Sequence, residues 1–225
     1  SGVDQNNVLG VGVAVAGLVD KDKKIVEFSP DFGWHDVNVG LDIHKEISLP
    51  IVFDNVTRVM AMGERHFGYG RTVDNFICVN IGYGIGAGII VDSKPFYGTH
   101  GMSGEFGHIV IDPASDVRCM CGNRGCLEAL ASGHGIALAA ERGLERGEKS
   151  VLNDGTVFTE PVTAEAVAHA AADGDQFALQ VITTAARQIG LGIANLINLF
   201  DPQAIIIRGG VTSSGPLLFD TVQQV

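Results

Sequence analysis

Residues 104–128 read GEFGHIVIDPASDVRCMCGNRGCLE. Three of the four cysteines fall here, Cys119, Cys121 and Cys126, in a C-x-C-x4-C spacing preceded by Gly107-His108. One imidazole (His108) and three thiols make a complete tetrahedral shell for Zn²⁺. Gly122 and Gly125 let the backbone fold tightly enough for three thiolates to converge. Four protein ligands leave no open position, so the expected zinc is structural. The competing reading is three buried free cysteines and an unrelated histidine. Clustered thiols of this kind are metal chemistry rather than a disulfide framework, and they favour a reducing cytoplasm.

Upstream, residues 76–91 read FICVNIGYGIGAGIIV, a strand, a glycine turn and a second strand. Lys94–Tyr97 and Ile109–Ile111 are expected to add a third and a fourth strand. Toward the N-terminus, strands are expected at Val8–Val15, Ile25–Phe28 and Ile51–Phe53, with a turn over 16–23 and a loop over Pro30–Asn38. Helices are expected at Leu41–Ile47 and at Val56–Phe67, the latter turning Val56, Val59, Met60, Met62 and Gly63 to the core. Downstream, Leu127–Ala131, Gly135–Arg142, Thr163–Ala172 and Phe177–Phe200 read as helices, with Thr163 as an N-cap. Asn153-Asp154-Gly155 reads as a turn. A last buried strand at Ala204–Ile207 precedes a C-terminal helix over Leu217–Val225. Alternating strands and helices indicate an α/β fold.

The chain has 225 residues, 46% hydrophobic and 18% charged, enough for a sizeable core. Its net charge of −11 argues against direct nucleic-acid binding by this region, because phosphates need a cationic face. No run of 18 apolar residues occurs, so no membrane span and no membrane partner are expected. The first ten residues lack the basic and apolar pattern of a signal peptide. The chain starts almost directly in a strand without a methionine, as a fragment of a longer protein would.

The 104–128 block closely resembles the signature of the ROK family of repressors, open reading frames and sugar kinases. GVGVAVAGLVD (10–20), SPDFGW (29–34), 55–64, NIGYGIGAGII (80–90) and IIIRGG (205–210) resemble successive ROK segments in order. The resemblance implies an actin/hexokinase-like (ribonuclease H-like) fold of two α/β lobes, with the N-terminal part of the first lobe absent from this chain. Residues 1–73 would belong to the first lobe, 74–210 to the second with the zinc site, and 211–225 to a helix returning toward the first. It also implies that Asn55, Glu105, His108 and Glu128 bind sugar hydroxyls, His108 doubling as zinc ligand. Ionised carboxylates suit that task, since they make the stronger hydrogen bonds to hydroxyl donors.

The departures from the kinase pattern carry the functional argument. ROK kinases have Asn-Asp at the start of a helix, the Asp being the general base. Counting back from Glu64 places Asn55 at the Asn and Val56 at the Asp, and valine accepts no proton. Asp54, two positions earlier, starts several ångströms from the family's base position, and general-base work needs hydrogen-bond reach; the kinase reading needs a different base, or a local shift in the alignment that makes Asp54 the base. Arg58 can pair with Asp54 one helical turn away. The Asp-x-Gly-x-Thr phosphate loop of this fold does not occur in the chain. The second loop, usually Gly-Thr-Gly, is Gly82-Tyr83-Gly84, followed by Gly86. With Gly209 and Gly210 these glycines are nucleotide candidates, against the reading of a purely structural turn. Trp34, His35 and Asp36 are weighed as a sugar border against simple loop stacking. His66, His100, His134 and His169 read as ordinary residues, and Cys78 as an inert buried thiol.

The resulting expectation is the sugar-sensing domain of a ROK-type transcriptional repressor without kinase activity. DNA would be bound only through a helix-turn-helix outside this chain, and the protein would be a cytoplasmic homodimer or homotetramer. The alternative is an ATP-dependent ROK sugar kinase, of glucokinase or N-acetylhexosamine kinase type, which would need Mg-ATP. A catalytically silent sugar-binding scaffold is the third reading.

Overall fold

The computed structural model describes residues 7–153 and 161–225. The chain divides into two compact units: Ser1–Asp74 with Gly88–Gly104, and Asn75–Ala87 with Glu105–Val225.

In the first unit, Val11–Val15 (β1) pairs in parallel with Ile51–Asn55 (β5), Val15 opposite Asn55. Leu18–Asp20 (β2), Ile25–Ser29 (β3) and Trp34–Val37 (β4) form an antiparallel sheet in that order. Val15, Val19, Val26 and Phe53 make the core of this unit, with Trp34 packed against them. Two expectations change here. The segment 16–23 contains β2 as well as a turn, and 30–38 contains β4. Neither alternates apolar and polar residues, and Asp36 holds a left-handed backbone (φ 51°), so periodicity gives no signal. Val39–Glu46 (α1) follows, capped by the Asn38 side chain on the Leu41 amide.

Val56–Phe67 (α2) is the helix whose facing was misjudged. Its buried residues are Thr57, Arg58, Ala61 and Glu64, while Val56 and Val59 are exposed. Two charged side chains lie inward because both have partners. Arg58 is paired with Asp54, and Glu64 accepts the Tyr69 amide at 3.0 Å.

Phe76–Ile81 (β6) opens the second unit and pairs in parallel with Ala204–Arg208 (β9), Phe76 opposite Ala204. Its first four residues, Cys78 among them, are buried. Ile85–Val91 (β7) follows the glycine turn and runs from the second unit into the first. There it pairs with the short Lys94–Pro95 (β8), Ile90 opposite Pro95, and Gly88 lies against Thr57 and Ala61 of α2. Residues 88–104 fall in the first unit.

Four helices build the rest of the second unit: Leu127–Ala131 (α3), Gly133–Glu145 (α4), Ala164–Ala172 (α5) and Gln176–Phe200 (α6). Thr163 caps α5 on the Ala166 amide as expected. Pro216–Gln223 (α7) also belongs to this unit, its C-terminal end seated on Gly190 of α6. The expected fourth strand at Ile109–Ile111 is only a single bridge, Val110 opposite Cys126. The expected turn at 153–155 lies mostly outside the described residues. By length and composition α6 is long and apolar enough to cross a membrane, although the chain has no run of 18 apolar residues. Half of its apolar window is buried within the protein, as in a core helix.

Candidate functional site

In the second unit, the donor atoms of His108, Cys119, Cys121 and Cys126 all lie within 4.8 Å of one another. Cys119 Sγ is 3.5 Å from His108 Nδ1, and Cys121 Sγ is 3.7 Å from Cys126 Sγ. Two thiolates on one tetrahedral Zn²⁺ at about 2.3 Å stand about 3.8 Å apart, so the cluster fits such an ion. The local backbone explains the convergence. Cys119 donates its amide to Asn123 O at 2.8 Å, and Gly122 donates to Cys119 O at 3.0 Å. Leu127 donates to Ile109 O at 2.9 Å, tying the last cysteine beside the His108 segment. Gly125 has a positive φ of 65° and lies hard against the Asp112 carbonyl, where no side chain fits. Burial pushes the Cys119 and Cys126 thiols up. Burial acts upward on the exposed Cys121 as well, but the Asn123 amide and the neighbouring thiols outweigh it and lower that thiol.

Two carboxylates flank the imidazole. Glu105 Oε2 is 3.7 Å from His108 Nε2, and Glu128 Oε1 is 3.9 Å from His108 Nδ1. All three side chains are partly exposed. The sequence-derived set of Glu105, His108 and Glu128 is therefore one cluster around the metal-binding residues. Glu128 has a further partner, since its Oε2 accepts the Ile85 amide at 2.9 Å. Gly107 lies against the Ile85 carbonyl, and a side chain there would collide with it. The metal segment is thus fastened to the start of β7.

In the first unit, Asn55 caps α2. Its Oδ1 accepts from the Thr57 amide and hydroxyl at 2.8 and 2.6 Å, and its Nδ2 donates to Gly17 O at 2.8 Å. Val56 is the first helical residue and is exposed. Asp54 Oδ1 accepts from Arg58 Nε at 2.7 Å and Oδ2 from the Tyr97 hydroxyl at 3.0 Å. Arg58 also donates to Gly101 O at 3.0 Å. Burial and the Asp54 carboxylate raise the Tyr97 phenol, which stays a donor at neutral pH. Trp34 stacks on Phe32 at 4.9 Å and His35 on Phe28 at 4.9 Å.

The glycine turn closes on itself, Gly82 donating to Gly84 O at 2.9 Å. Gly82 O and Tyr83 O accept the Gly133 and His134 amides at 2.7 and 3.3 Å, so the turn sits on the start of α4. Gly84 lies beside the Glu128 carboxylate, and Gly86 is in β7. Gly209 (φ 104°) and Gly210 lead from β9 into a short 3₁₀ turn over Gly210–Ser214. Gly82 and Gly210 line one cavity of about 620 Å³ together with Tyr83, His134 and Glu165.

The sequence profile of the ROK family matches residues 3–225. The chain belongs to the ROK family. A glucokinase of Halalkalibacterium halodurans is 34% identical over 98% of this chain and 67% of its own length. A solved ROK family transcriptional regulator, described as a homologue of the E. coli MLC protein, is 38% identical. It superposes with a TM-score of 0.84 over 96% of this chain and 53% of that one. The ROK glucokinase of Streptomyces griseus, solved with glucose and AMPPNP, is 33% identical, with a TM-score of 0.86 over 97% of this chain and 70% of that one. The chain spans about half to two thirds of the length of the curated relatives it matches, glucokinases and xylose repressors among them. Its fold is of the actin/hexokinase-like α/β class. Repressors and kinases stand at similar identity to it.

Within this ROK chain, sequence reasoning missed His134, whose ring lies 5.6 Å from that of Tyr83. It also missed Tyr97 as an Asp54 ligand. Both contacts join residues more than forty positions apart, and no local motif announces them.

Proposed function

We propose that this chain is the sugar-sensing region of a ROK transcriptional repressor and does not transfer phosphate. The observation that carries the reading is the start of α2. By its resemblance to the ROK kinases the chain has a valine at the position of the base, and the neighbouring carboxylate, Asp54, already accepts from Arg58, Tyr97 and the Asn55 amide. A general base must be free to take a proton, and its loss removes about 10²–10⁴ in rate. The sugar acceptors Glu105, His108 and Glu128 are retained, so binding survives where chemistry does not. His108, Cys119, Cys121 and Cys126 would hold a Zn²⁺, which would fix the imidazole that faces both carboxylates. Sensing then requires that the sugar bind the DNA-competent and incompetent states with different affinity. DNA contact lies with a helix-turn-helix outside these residues.

The test is a monosaccharide panel on the purified protein, read by thermal shift and by coupled ADP release with Mg-ATP. A stabilising sugar with ADP release at background is the expected pair of results. Glu105→Ala and Glu128→Ala should each abolish the thermal shift while zinc stays near stoichiometric. Sugar-dependent ADP release would establish the kinase instead. Unchanged sugar stabilisation in both variants would remove the carboxylate assignment.

A further inference from the structure

A cavity of about 350 Å³ lies in the first unit, between the turn that joins β2 to β3, the helix α1 and the residues entering β5. Its volume is at the lower end of the range typical of small-molecule sites, about 300–1,000 Å³. The chain has a net charge of −11, yet this lining is cationic. Lys23 and Lys24 contribute to it with the His44 imidazole, and no aspartate or glutamate does. Leu49 and Pro50 add apolar surface.

Lys24 is held in place from two sides. Its backbone is left-handed (φ 58°), a conformation that residues other than glycine seldom adopt. Strain of this kind persists only where the surroundings enforce it. Here the Lys24 carbonyl accepts the Gly40 amide at 3.0 Å. A side chain at position 40 would collide with Cβ and Cδ of Lys24, so the glycine lets the lysine stem lie on the first turn of α1. Lys21, Lys23 and Lys45 each have a carboxylate oxygen within 2.8 Å. Lys24 is half-buried and has no such partner among the described residues.

The remaining groups fit an anion. Asn38 spends Oδ1 on the Leu41 amide at 2.8 Å, which leaves its Nδ2 to donate. Lys23 is shared with Asp20, which lies outside the lining. On α1, Asp42 is neutralised by Lys45 at 2.7 Å. A phosphate monoester brings nearly two negative charges and three acceptor oxygens, more than a carboxylate can offer to this donor set. Lysine serves such a group as a point charge. The cavity adjoins the first residue of β5, whereas Asp54 and Asn55 end that strand, about 13 Å further on at the usual rise per residue.

We propose that this cavity binds a small organic phosphate. Lys24 holds the dianion, Lys23, Asn38 and His44 complete the donors, and the carbon skeleton lies on Leu49 and Pro50. The inference stands independently of the sensing role.

The experiment titrates the intact protein, in chloride at physiological ionic strength, with phenyl phosphate, glycerol 3-phosphate, inorganic phosphate and phenylacetate. Calorimetry gives the affinities, and amide NMR shifts give the location. Phenyl phosphate should bind in the millimolar range or tighter, about tenfold better than phenylacetate and better than inorganic phosphate, and should shift the amides of Lys24, Gly40 and His44. Lys24→Met keeps an unbranched stem on Gly40 and removes the ammonium. It should weaken phenyl phosphate about tenfold, the loss of one charged hydrogen bond, without changing the melting temperature of the free protein. Lys24→Arg should retain binding. No phosphate binding at millimolar concentration overturns the proposal, as does binding that ignores Lys24→Met. Phenylacetate as tight as phenyl phosphate overturns the choice of phosphate, and inorganic phosphate as tight as the esters overturns the role of the apolar wall. Shifts centred on Glu105 and Glu128 instead would place the ligand at the sugar acceptors and overturn the separate site.

Discussion

Arg58 Nε donates to Asp54 Oδ1 at 2.7 Å, and the arginine side chain is only 3% exposed. This i, i+4 pair lies at the start of α2, and Asp54 Oδ2 also accepts from the Tyr97 hydroxyl. A buried pair is costly to break from one side, because the remaining charge stays desolvated. Asp54→Ala is expected to destabilise the protein by about 3–5 kcal/mol, measured by urea unfolding. Arg58→Met with Asp54→Leu should be much milder than either single change. A loss well under 1 kcal/mol for Asp54→Ala would show that the pair carries no such strain on removal.

Val56→Asp tests whether one residue separates this chain from a kinase. The new carboxylate would sit in the first turn of α2, where the helix dipole favours it by about 0.3–1 kcal/mol. Stability should therefore be kept or slightly raised. ADP release should remain at background, because Tyr83 still occupies the turn that holds a small hydroxyl residue in the kinase pattern. A rise in sugar-dependent ADP release of about 10²–10⁴ would show that the base alone was missing.

The parts of the molecule that were legible in the sequence are those whose partners are close along the chain. His108 and the three cysteines lie within one short block, so their spacing alone announced a cluster, and the structure brings their donors within 4.8 Å. The strand–turn–strand unit 76–91 was legible for the same reason. The inward face of α2 was not, because burying Arg58 depends on Gly101 O, 43 residues away, as well as on Asp54. Hydrophobic periodicity assigns such a face to valines that in fact lie outside. The cavity was illegible too, since its lining comes from the glycine turn, the starts of α4 and α5, and the turn after β9.

Removal of one thiol tests the metal cluster. Cys121 is exposed, so Cys121→Ser removes a ligand without opening a hole in the core. Zinc content should fall from about one per chain toward zero, since binding free energy at a structural site is also folding free energy. The melting temperature should drop in parallel, and a strong chelator should reproduce the drop in the unmodified protein. Stoichiometric zinc in Cys121→Ser would mean that the ligand set is different.

The capping of α6 gives a pH dependence with a definite sign. Asp175 Oδ1 accepts the Ala178 amide at 2.8 Å, and its Oδ2 accepts the Val151 amide at 2.8 Å. Burial pushes this carboxyl up, but the hydrogen bonds outweigh it and hold the group below its ordinary value of 3.8. A carboxyl lowered on folding stabilises the protein above its unfolded pKa. That contribution is lost as the pH falls through the lower, folded value. Asp175→Ala should therefore cost about 1 kcal/mol at pH 7, the usual value of such a cap. The difference between the two proteins should shrink on acidification below about pH 4, where the unfolded carboxyl takes up its proton. Urea unfolding at pH 7, 5 and 3 reads this directly. A difference that stays constant down to pH 3 would mean that the cap acts through shape rather than charge.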